Sequence, residues 1–98
     1  MYNIYNELPK LPKSSKKLIL ALSEHGSLTQ KQLIASVNMP AKTVRYALKK
    51  LSEQNLITSQ HNLEDMRSMF YSLNPDNDFG IVEQYITEAK ILVEAEIA

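Results

Sequence analysis

Apolar residues recur three and four positions apart in four segments of this chain, and this spacing predicts four amphipathic α-helices. The segments lie at about residues 14–25, 30–37, 41–54 and from 79 into the C-terminal tail. Between the third and fourth helices the apolar period changes to two, which is typical of β-strands. The pattern therefore predicts a mainly helical α+β fold with a three-helix core, a two-stranded hairpin and a C-terminal helix.

Capping and turn residues mark the ends of the predicted helices. Ser14 or Ser15 is expected to cap the first helix, and Gly26 suits the left-handed position just past its end. Thr29 is a good N-cap for the second helix. Asn55 is expected to stop the third helix, because asparagine tolerates the left-handed conformation better than most residues.

Two short strands are predicted after the third helix, over Leu56–Gln60 and Met69–Leu73, joined by a polar loop at 61–68. Residues 27–28 are expected to form only a short extended link between the first two helices. The alternate residues of the second strand that share the face expected to be buried are Met69, Tyr71 and Leu73.

The third helix has two sides of contrasting chemistry. Its apolar stripe consists of Val44, Ala47, Leu48 and Leu51. Away from that stripe lie Lys42, Thr43, Arg45, Tyr46 and Lys49, and no acid occurs before Glu53. Cations and hydroxyls of this kind contact phosphates and base edges when a helix lies in a DNA major groove. The alternative is a solvated helix face, but such a face usually intersperses acids as i,i+4 partners of its lysines.

The fourth helix carries an apolar stripe that is longer than the preceding residues can easily cover. We expect it to pack against the same helix of a second copy, as a two-fold dimer with a coiled-coil-like seam. The alternative is a helix that folds back on its own domain. Tyr5, in an N-terminal arm at 1–13, is expected to join this dimer contact. The stripe residues assigned to dimerisation are Phe79, Val82, Tyr85, Ile86, Ala89, Leu92 and Val93.

Composition and charge narrow the picture further. The 98 residues, 44% of them hydrophobic, suit one ordinary domain, and the lack of cysteine excludes disulfides, thiolate zinc sites and cysteine nucleophiles. The longest apolar run, 18–22, is too short to span a membrane and the N-terminus lacks a signal-peptide pattern, so we expect a cytoplasmic protein. Residues 1–50 hold nine cations and two acids, and residues 51–98 hold two cations and nine acids, so the zero net charge hides halves of +7 and −7. Clustering of this kind matters more for nucleic-acid binding than the sum.

No group of residues has the pattern of a catalytic or metal site. His25 and His61 are far apart, and Glu64 and Asp65 are adjacent loop residues, a poor geometry for paired acid–base chemistry. We therefore expect no enzyme activity, no metal and no cofactor.

The order of these elements resembles the winged helix-turn-helix domain of the MarR and ArsR-like transcription regulators. The resemblance covers about residues 14–74, and Asn55 stands where many relatives have glycine. The larger MarR relatives also have more extensive dimerisation helices than this chain, so no small-molecule effector is carried over. The segments that carry the resemblance are Leu28-Thr-Gln-Lys-Gln-Leu33, Met39-Pro-Ala-Lys-Thr-Val-Arg-Tyr-Ala-Leu-Lys-Lys-Leu51, Asn55-Leu-Ile57 and Asp65-Met-Arg-Ser-Met-Phe-Tyr-Ser-Leu73.

Together with the residue patterns, the resemblance leads us to expect three units: an N-terminal arm at 1–13, a winged helix-turn-helix domain at 14–75 and a C-terminal dimerisation helix at 76–98. It implies that helix 41–54 is a recognition helix in the major groove and that loop 61–68 is a wing on the flanking groove or backbone. Asp65 is expected to orient Arg67 at the wing. The residues expected to bind DNA are Thr29, Gln30, Lys42, Thr43, Arg45, Tyr46, Lys49, Lys50 and Arg67. Lys16, Lys17 and Lys31 are further candidates for outer phosphate contacts.

Three functions fit this sequence. The first is a homodimeric, nucleoid-associated transcription regulator that reads an inverted repeat in double-stranded DNA. The second is an architectural or partition protein of low sequence specificity, whose affinity rests on phosphates and falls steeply with salt. The third is a winged helix whose basic face binds an acidic protein.

Overall fold

Four helices and three short strands follow one another along the chain in the computed structural model, which describes residues 11–97. Ile97 is described by its backbone only. The elements are α1 (Lys13–His25), β1 (Ser27–Thr29), α2 (Gln30–Val37), α3 (Ala41–Glu53), β2 (Ile57–His61), β3 (Met69–Leu73) and α4 (Phe79–Ile97). The predicted order of elements is confirmed, with boundaries that differ by one or two residues.

The strands form one antiparallel sheet in the order β1-β3-β2. The short extended link predicted at 27–28 is therefore part of a strand, β1, which pairs with β3 beside the predicted two-stranded wing. Leu28 and Ser59 both lie opposite Tyr71, from the two sides of β3. Across β2 and β3 the hydroxyls of Thr58 and Ser72 lie 3.2 Å apart. β1 joins because the backbone groups along the second edge of β3 need hydrogen-bond partners.

The core lies between α1, α2, α3 and the inner ends of the strands. Its fully buried large side chains include Leu18, Ile19 and Leu22 of α1, Leu33 of α2 and Leu51 of α3. Tyr71 and Leu73 pack against this cluster as partly buried residues. Close packing of these side chains fixes how the exposed side of each helix is oriented.

The start of α1 differs from the expectation. The helix begins one residue before Ser14, and Pro12 occupies the N-cap position without a side-chain hydrogen bond. Ser15 is fully buried, and its Oγ has no hydrogen-bond partner within residues 11–97. The prediction of a serine cap is therefore wrong. Proline provides the backbone angle that a helix start requires, and its carbonyl accepts the N–H of Lys16 at 3.2 Å.

The other helix ends follow the expected chemistry. Gly26 has φ 83°, a value that favours glycine, and its N–H donates to the carbonyl of Leu22 at 2.8 Å. Asn38 ends α2 with φ 51°, and Asn55 adopts φ 57° after α3. The predicted left-handed stop at Asn55 is confirmed.

The fourth helix packs along α1 of its own chain. Tyr85 is 3% exposed and Ala89 is fully buried, so these two side chains contribute to packing within the chain. Burial raises the pKa of Tyr85, and the nearby Glu88 carboxylate adds to that effect. Lys16 Nζ lies 3.1 Å from Glu88 Oε2, and Lys17 pairs with Glu96. The alternative in which the helix folds back on its own domain is correct for this face of α4.

Candidate nucleic-acid interface

The two sides of α3 are separated as the sequence predicts. Val44, Ala47, Leu48 and Leu51 are buried and anchor the helix to the core. Lys42, Arg45, Tyr46 and Lys49 are exposed, whereas Thr43 and Lys50 are half-buried. The helix therefore presents a continuous basic surface from its first turn to its last.

The cations of α3 are not neutralised by acids in the part of the chain that the structure describes. The ion pairs within residues 11–97 join Lys16, Lys17 and Arg67 to carboxylates, and none includes a side chain of α3. Lys50 Nζ instead lies 5.6 Å from the centroid of the Tyr46 ring, a cation–π contact. Because the neighbouring ions do not cancel them, these charges produce a positive potential that an anionic partner can meet.

The N-terminus of α2 is closed by a capping box. Gln32 N–H donates to Thr29 Oγ1 at 3.2 Å, and Thr29 N–H donates to Gln32 Oε1 at 2.8 Å. The cap at Thr29 is confirmed, but sequence reasoning missed Gln32, which the pattern Thr-x-x-Gln marks as its partner. Gln30, the first residue of α2, is half-buried. The expected contact of Thr29 and Gln30 with a DNA phosphate stays a prediction.

The wing is the hairpin of β2 and β3 with the loop between them. At its tip Asp65 Oδ1 accepts the backbone N–H of Arg67 at 3.1 Å and its Nε–H at 3.4 Å. The Arg67 side chain is 94% exposed. The contact through which Asp65 was expected to orient Arg67 is therefore present, and the guanidinium projects from the hairpin.

Other kinds of site find no support in the described residues. Within 11–97, no three His, Cys, Asp or Glu side chains are grouped so that they could hold a metal ion. Over the same range, no helix is long and apolar enough to cross a membrane.

A family model for winged helix-turn-helix DNA-binding domains matches residues 11–58. No curated protein sequence matches closely enough to count as a relative. Among solved structures, a cysteine-to-serine mutant of ZitR from Lactococcus lactis has a TM-score of 0.71 and 26% identity, over 90% of this chain and 60% of that one. The adhesin competence repressor AdcR from Streptococcus pyogenes has a TM-score of 0.72 and 19% identity, over 95% and 68%.

A mutant of MarR from E. coli, solved in complex with operator DNA, has a TM-score of 0.66 and 17% identity, over 74% of this chain and 51% of that one. This chain therefore spans about half to two-thirds of the length of the regulators that it matches.

These matches and the order of elements define the class as a winged helix-turn-helix DNA-binding protein. Residues 11–58 are assigned by this match to a winged helix-turn-helix DNA-binding domain. Within that class its fold is that of the MarR-family transcription regulators, as the sequence predicted.

Proposed function

We propose that this chain is a homodimeric transcription regulator that binds double-stranded DNA in a sequence-specific manner. Helix α3 lies in the major groove, and the wing lies on the flanking groove or backbone. The observation that carries the proposal is the basic surface of α3, whose cations have no acidic partner within residues 11–97. A second observation supports it: the relative MarR was solved in complex with operator DNA.

Sequence reading is assigned to the central residues of α3. Arg45 is exposed, and an arginine in the major groove donates bidentate hydrogen bonds to guanine O6 and N7. Tyr46 is 56% exposed and its ring is held by Lys50, so it offers an oriented apolar edge to a thymine methyl. Thr43 completes the base-reading set, Lys49 stands in the groove within reach of a base edge or a phosphate, and Lys42 and Lys50 lie toward the phosphates.

The phosphate contacts outside α3 are assigned to three further residues. Thr29 and Gln30 stand at the N-terminus of α2, where backbone N–H groups favour an anion. Arg67 projects from the wing with a 94% exposed side chain. Such contacts fix the register of the protein on the duplex without reading its sequence.

Dimerisation is assigned to the apolar side chains of α4 that the chain itself leaves exposed or half-buried. Phe79 is 76% exposed and Ile91 is 61% exposed. Val82, Ile86, Leu92 and Val93 are half-buried, and Val82 and Ile86 also pack against the core of their own chain, so only their remaining exposed surface is available to a second copy. Tyr85 and Ala89 are not part of this assignment, because they are buried within the chain. Tyr5 lies outside the described residues, and its place in the dimer remains a prediction.

A two-fold dimer presents two α3 helices to the same face of the duplex. The half-sites are then about one helical turn apart, ~10 bp, or a multiple of it, so the operator is an inverted repeat. The wing of each subunit reaches outward from its half-site. In this arrangement both subunits contact the same duplex, so the complete operator is recognised by two protein–DNA interfaces together.

Fluorescence anisotropy tests the proposal with a duplex selected from a random pool and with an unselected duplex, each across a series of salt concentrations. We expect the selected duplex to bind about 10³-fold more tightly, as specific regulators do. Arg45→Lys is the matched variant: it keeps the charge but loses the planar fork, so the preference should fall while the salt dependence persists. Equal binding of wild-type protein to both duplexes would contradict specific recognition and favour an architectural role. No binding to either duplex at low salt would leave an acidic protein partner.

A further inference from the structure

Two opposite charges stand seven residues apart on the exposed side of α4. Glu83 and Lys90 are both exposed, and neither has an ion pair within residues 11–97. Lys90 is the only cation of this helix, whereas the acids Glu88 and Glu96 are already held by lysines of α1. Neither Glu83 nor Lys90 belongs to the DNA-binding surface or to the apolar side chains assigned to dimerisation.

The two charges cannot neutralise each other within one helix. Seven residues of α-helix rise about 10.5 Å, which is far beyond the distance of an ion pair. Glu83 has no cation three or four residues away, and the Thr87 hydroxyl donates to its backbone carbonyl at 3.0 Å. Lys90 has Glu94 four residues further on, but a lysine that precedes its glutamate is the weaker orientation, and no ion pair joins these two side chains. Both charges are therefore available to a partner.

These charges border the apolar side chains that face away from the core. Phe79 is 76% exposed, and Ile86, seven residues further on, is half-buried. Glu83 follows Phe79 by four residues and Lys90 follows Ile86 by four, so each charge lies beside an apolar side chain on the helix surface. The opposite flank of this apolar line turns inward, because Tyr85 is 3% exposed. One flank of the line is thus charged and free, and the other is closed by the chain's own core.

The direction in which two copies of α4 run decides which charges meet. Since only one flank is free, parallel helices would place each residue of that flank beside the same residue of the second copy. Glu83 would then face Glu83 and Lys90 would face Lys90, and like charges that face each other across an interface repel. Antiparallel helices related by a two-fold axis between residues 86 and 87 place Glu83 of each copy opposite Lys90 of the other. The charge pattern is therefore self-complementary in the antiparallel arrangement alone.

We infer that α4 pairs antiparallel with α4 of a second copy, in a register set by two ion pairs between Glu83 of one copy and Lys90 of the other. Ile86 of both copies lies at the centre of the contact, and Phe79 lies toward each end. This inference rests on the homodimer of the proposed function and adds the direction and register of its helices. Exposed ion pairs add little affinity, so the apolar side chains hold the copies together and the charges select the arrangement.

Charge reversal tests the pairing through the dissociation constant of the dimer, measured by sedimentation equilibrium at low salt. Glu83→Lys and Lys90→Glu should each raise this constant by roughly 10-fold, because each replaces two ion pairs by two repulsions. The protein with both substitutions should return to nearly the wild-type value, since it rebuilds both pairs in the opposite sense. At about 1 M salt, where charges are screened beyond about 3 Å, the four proteins should converge.

Glu94→Lys is the matched control for Glu83→Lys. It makes the same change of charge at another exposed glutamate of α4 that has no ion pair within residues 11–97. In the inferred register Glu94 lies opposite Phe79 of the second copy and not opposite a cation. We therefore expect this variant not to weaken the dimer. Circular dichroism checks that every variant is folded, as the exposure of the substituted side chains leads us to expect.

Distances between spin labels measure the direction of the helices independently of charge. The chain has no cysteine, so Thr87→Cys and Glu94→Cys each provide one labelling site per copy. In the inferred register the two labels are separated along the helix axis by about 2 Å at Thr87→Cys and by about 22 Å at Glu94→Cys. Pulsed electron paramagnetic resonance should therefore give a distance roughly 10 Å longer for the second variant. Parallel helices would give similar distances at both positions.

Several results would overturn the antiparallel pairing while leaving the proposed function intact. They are a dissociation constant that neither reversal changes, no recovery in the double variant, a loss in Glu94→Lys as large as in Glu83→Lys, and similar label distances at the two sites. In each case the wild-type protein would still be a dimer, and its preference for the selected duplex is measured separately by anisotropy. A wild-type monomer at micromolar concentration would overturn the homodimer of the proposed function and the pairing with it.

Discussion

Lys49→Gln and Lys16→Gln should have different effects on the salt dependence of DNA binding. Both lysines belong to the basic half of the chain, and the sequence makes both candidates for DNA contact, Lys49 on the recognition helix and Lys16 at an outer phosphate. The structure separates them further, because Lys16 pairs with Glu88 at 3.1 Å while Lys49 is exposed and has no ion pair within residues 11–97. We therefore expect Lys49 to meet a phosphate or a base edge beside one, and Lys16 to remain with α4. Glutamine suits both positions because its helix propensity is close to that of lysine.

The expected magnitude follows from counterion release. Each phosphate contact contributes about −0.9 to the slope of log affinity against log salt. Between about 50 mM and about 200 mM salt, loss of one contact changes the ratio of wild-type to variant affinity by about 3.5-fold, and loss of two contacts in a symmetric dimer by about 12-fold. The Lys16→Gln variant should show no such change. Its cost to stability should be roughly 0–1 kcal/mol, because the ion pair is partly exposed to water, with 21% and 38% of the two side chains accessible.

Anisotropy titrations of both variants at five or so salt concentrations measure these slopes. The selected duplex is used throughout, so that register and half-site spacing stay constant. If Lys16→Gln reduced the slope as much as Lys49→Gln, the ion pair with Glu88 would not withhold Lys16 from DNA, and the division of cations drawn from the structure would be wrong. If neither variant changed the slope, Lys49 would not contact a phosphate, and the phosphate contacts of α3 would be left to Lys42 and Lys50.

Three further variants test other parts of the assignment. Arg45→Ala should weaken binding to the selected duplex by about 1–3 kcal/mol and leave binding to the unselected duplex unchanged. An equal loss of affinity for both duplexes would reassign Arg45 to a phosphate contact. Thr29→Ala should lower the free energy of unfolding in urea by about 1 kcal/mol, because it removes half of the capping box with Gln32; unchanged stability would contradict the cap. Phe79→Glu should yield monomers in sedimentation without unfolding the chain, because Phe79 is 76% exposed and an acid suits the first turn of a helix. If the wild-type protein also sediments as a monomer at the same micromolar concentration, this result contradicts the dimer proposal.

The periodicity of the sequence predicts much of this fold because local chemistry and burial agree. Val44, Ala47, Leu48 and Leu51 are all buried, as their spacing indicates, and this fixes which side of α3 is free. Asn55 adopts the left-handed angle expected of it. The same reasoning assigns the basic side of α3, since a helix anchored by one stripe must expose the opposite one.

Long-range pairings were not predictable in the same way. Strand β1 is three residues long and has no alternating pattern of its own, so only the free edge of β3 explains it. The sequence offers two plausible serine caps for α1, but the helix starts after Pro12, and Ser15 is buried with no hydrogen-bond partner for its Oγ in the part of the chain that the structure describes, so packing outweighed the cap. The hydrogen bonds of Asn62 in the wing loop depend on the backbone geometry of the loop, which spacing alone does not show.

The oppositely charged halves of the chain meet where α4 packs against α1. Two acids of the acidic half, Glu88 and Glu96, are engaged by Lys16 and Lys17 of the basic half. These contacts engage two of the three lysines of α1, whereas no cation of α3 has an ion pair within residues 11–97. An acidic C-terminal helix therefore reduces the positive potential beside α1 and leaves that of α3 in place, so a protein with zero net charge can still present a positive surface to DNA. Removal of both glutamates, as Glu88→Gln with Glu96→Gln, should accordingly raise affinity for unselected DNA more than for the selected duplex.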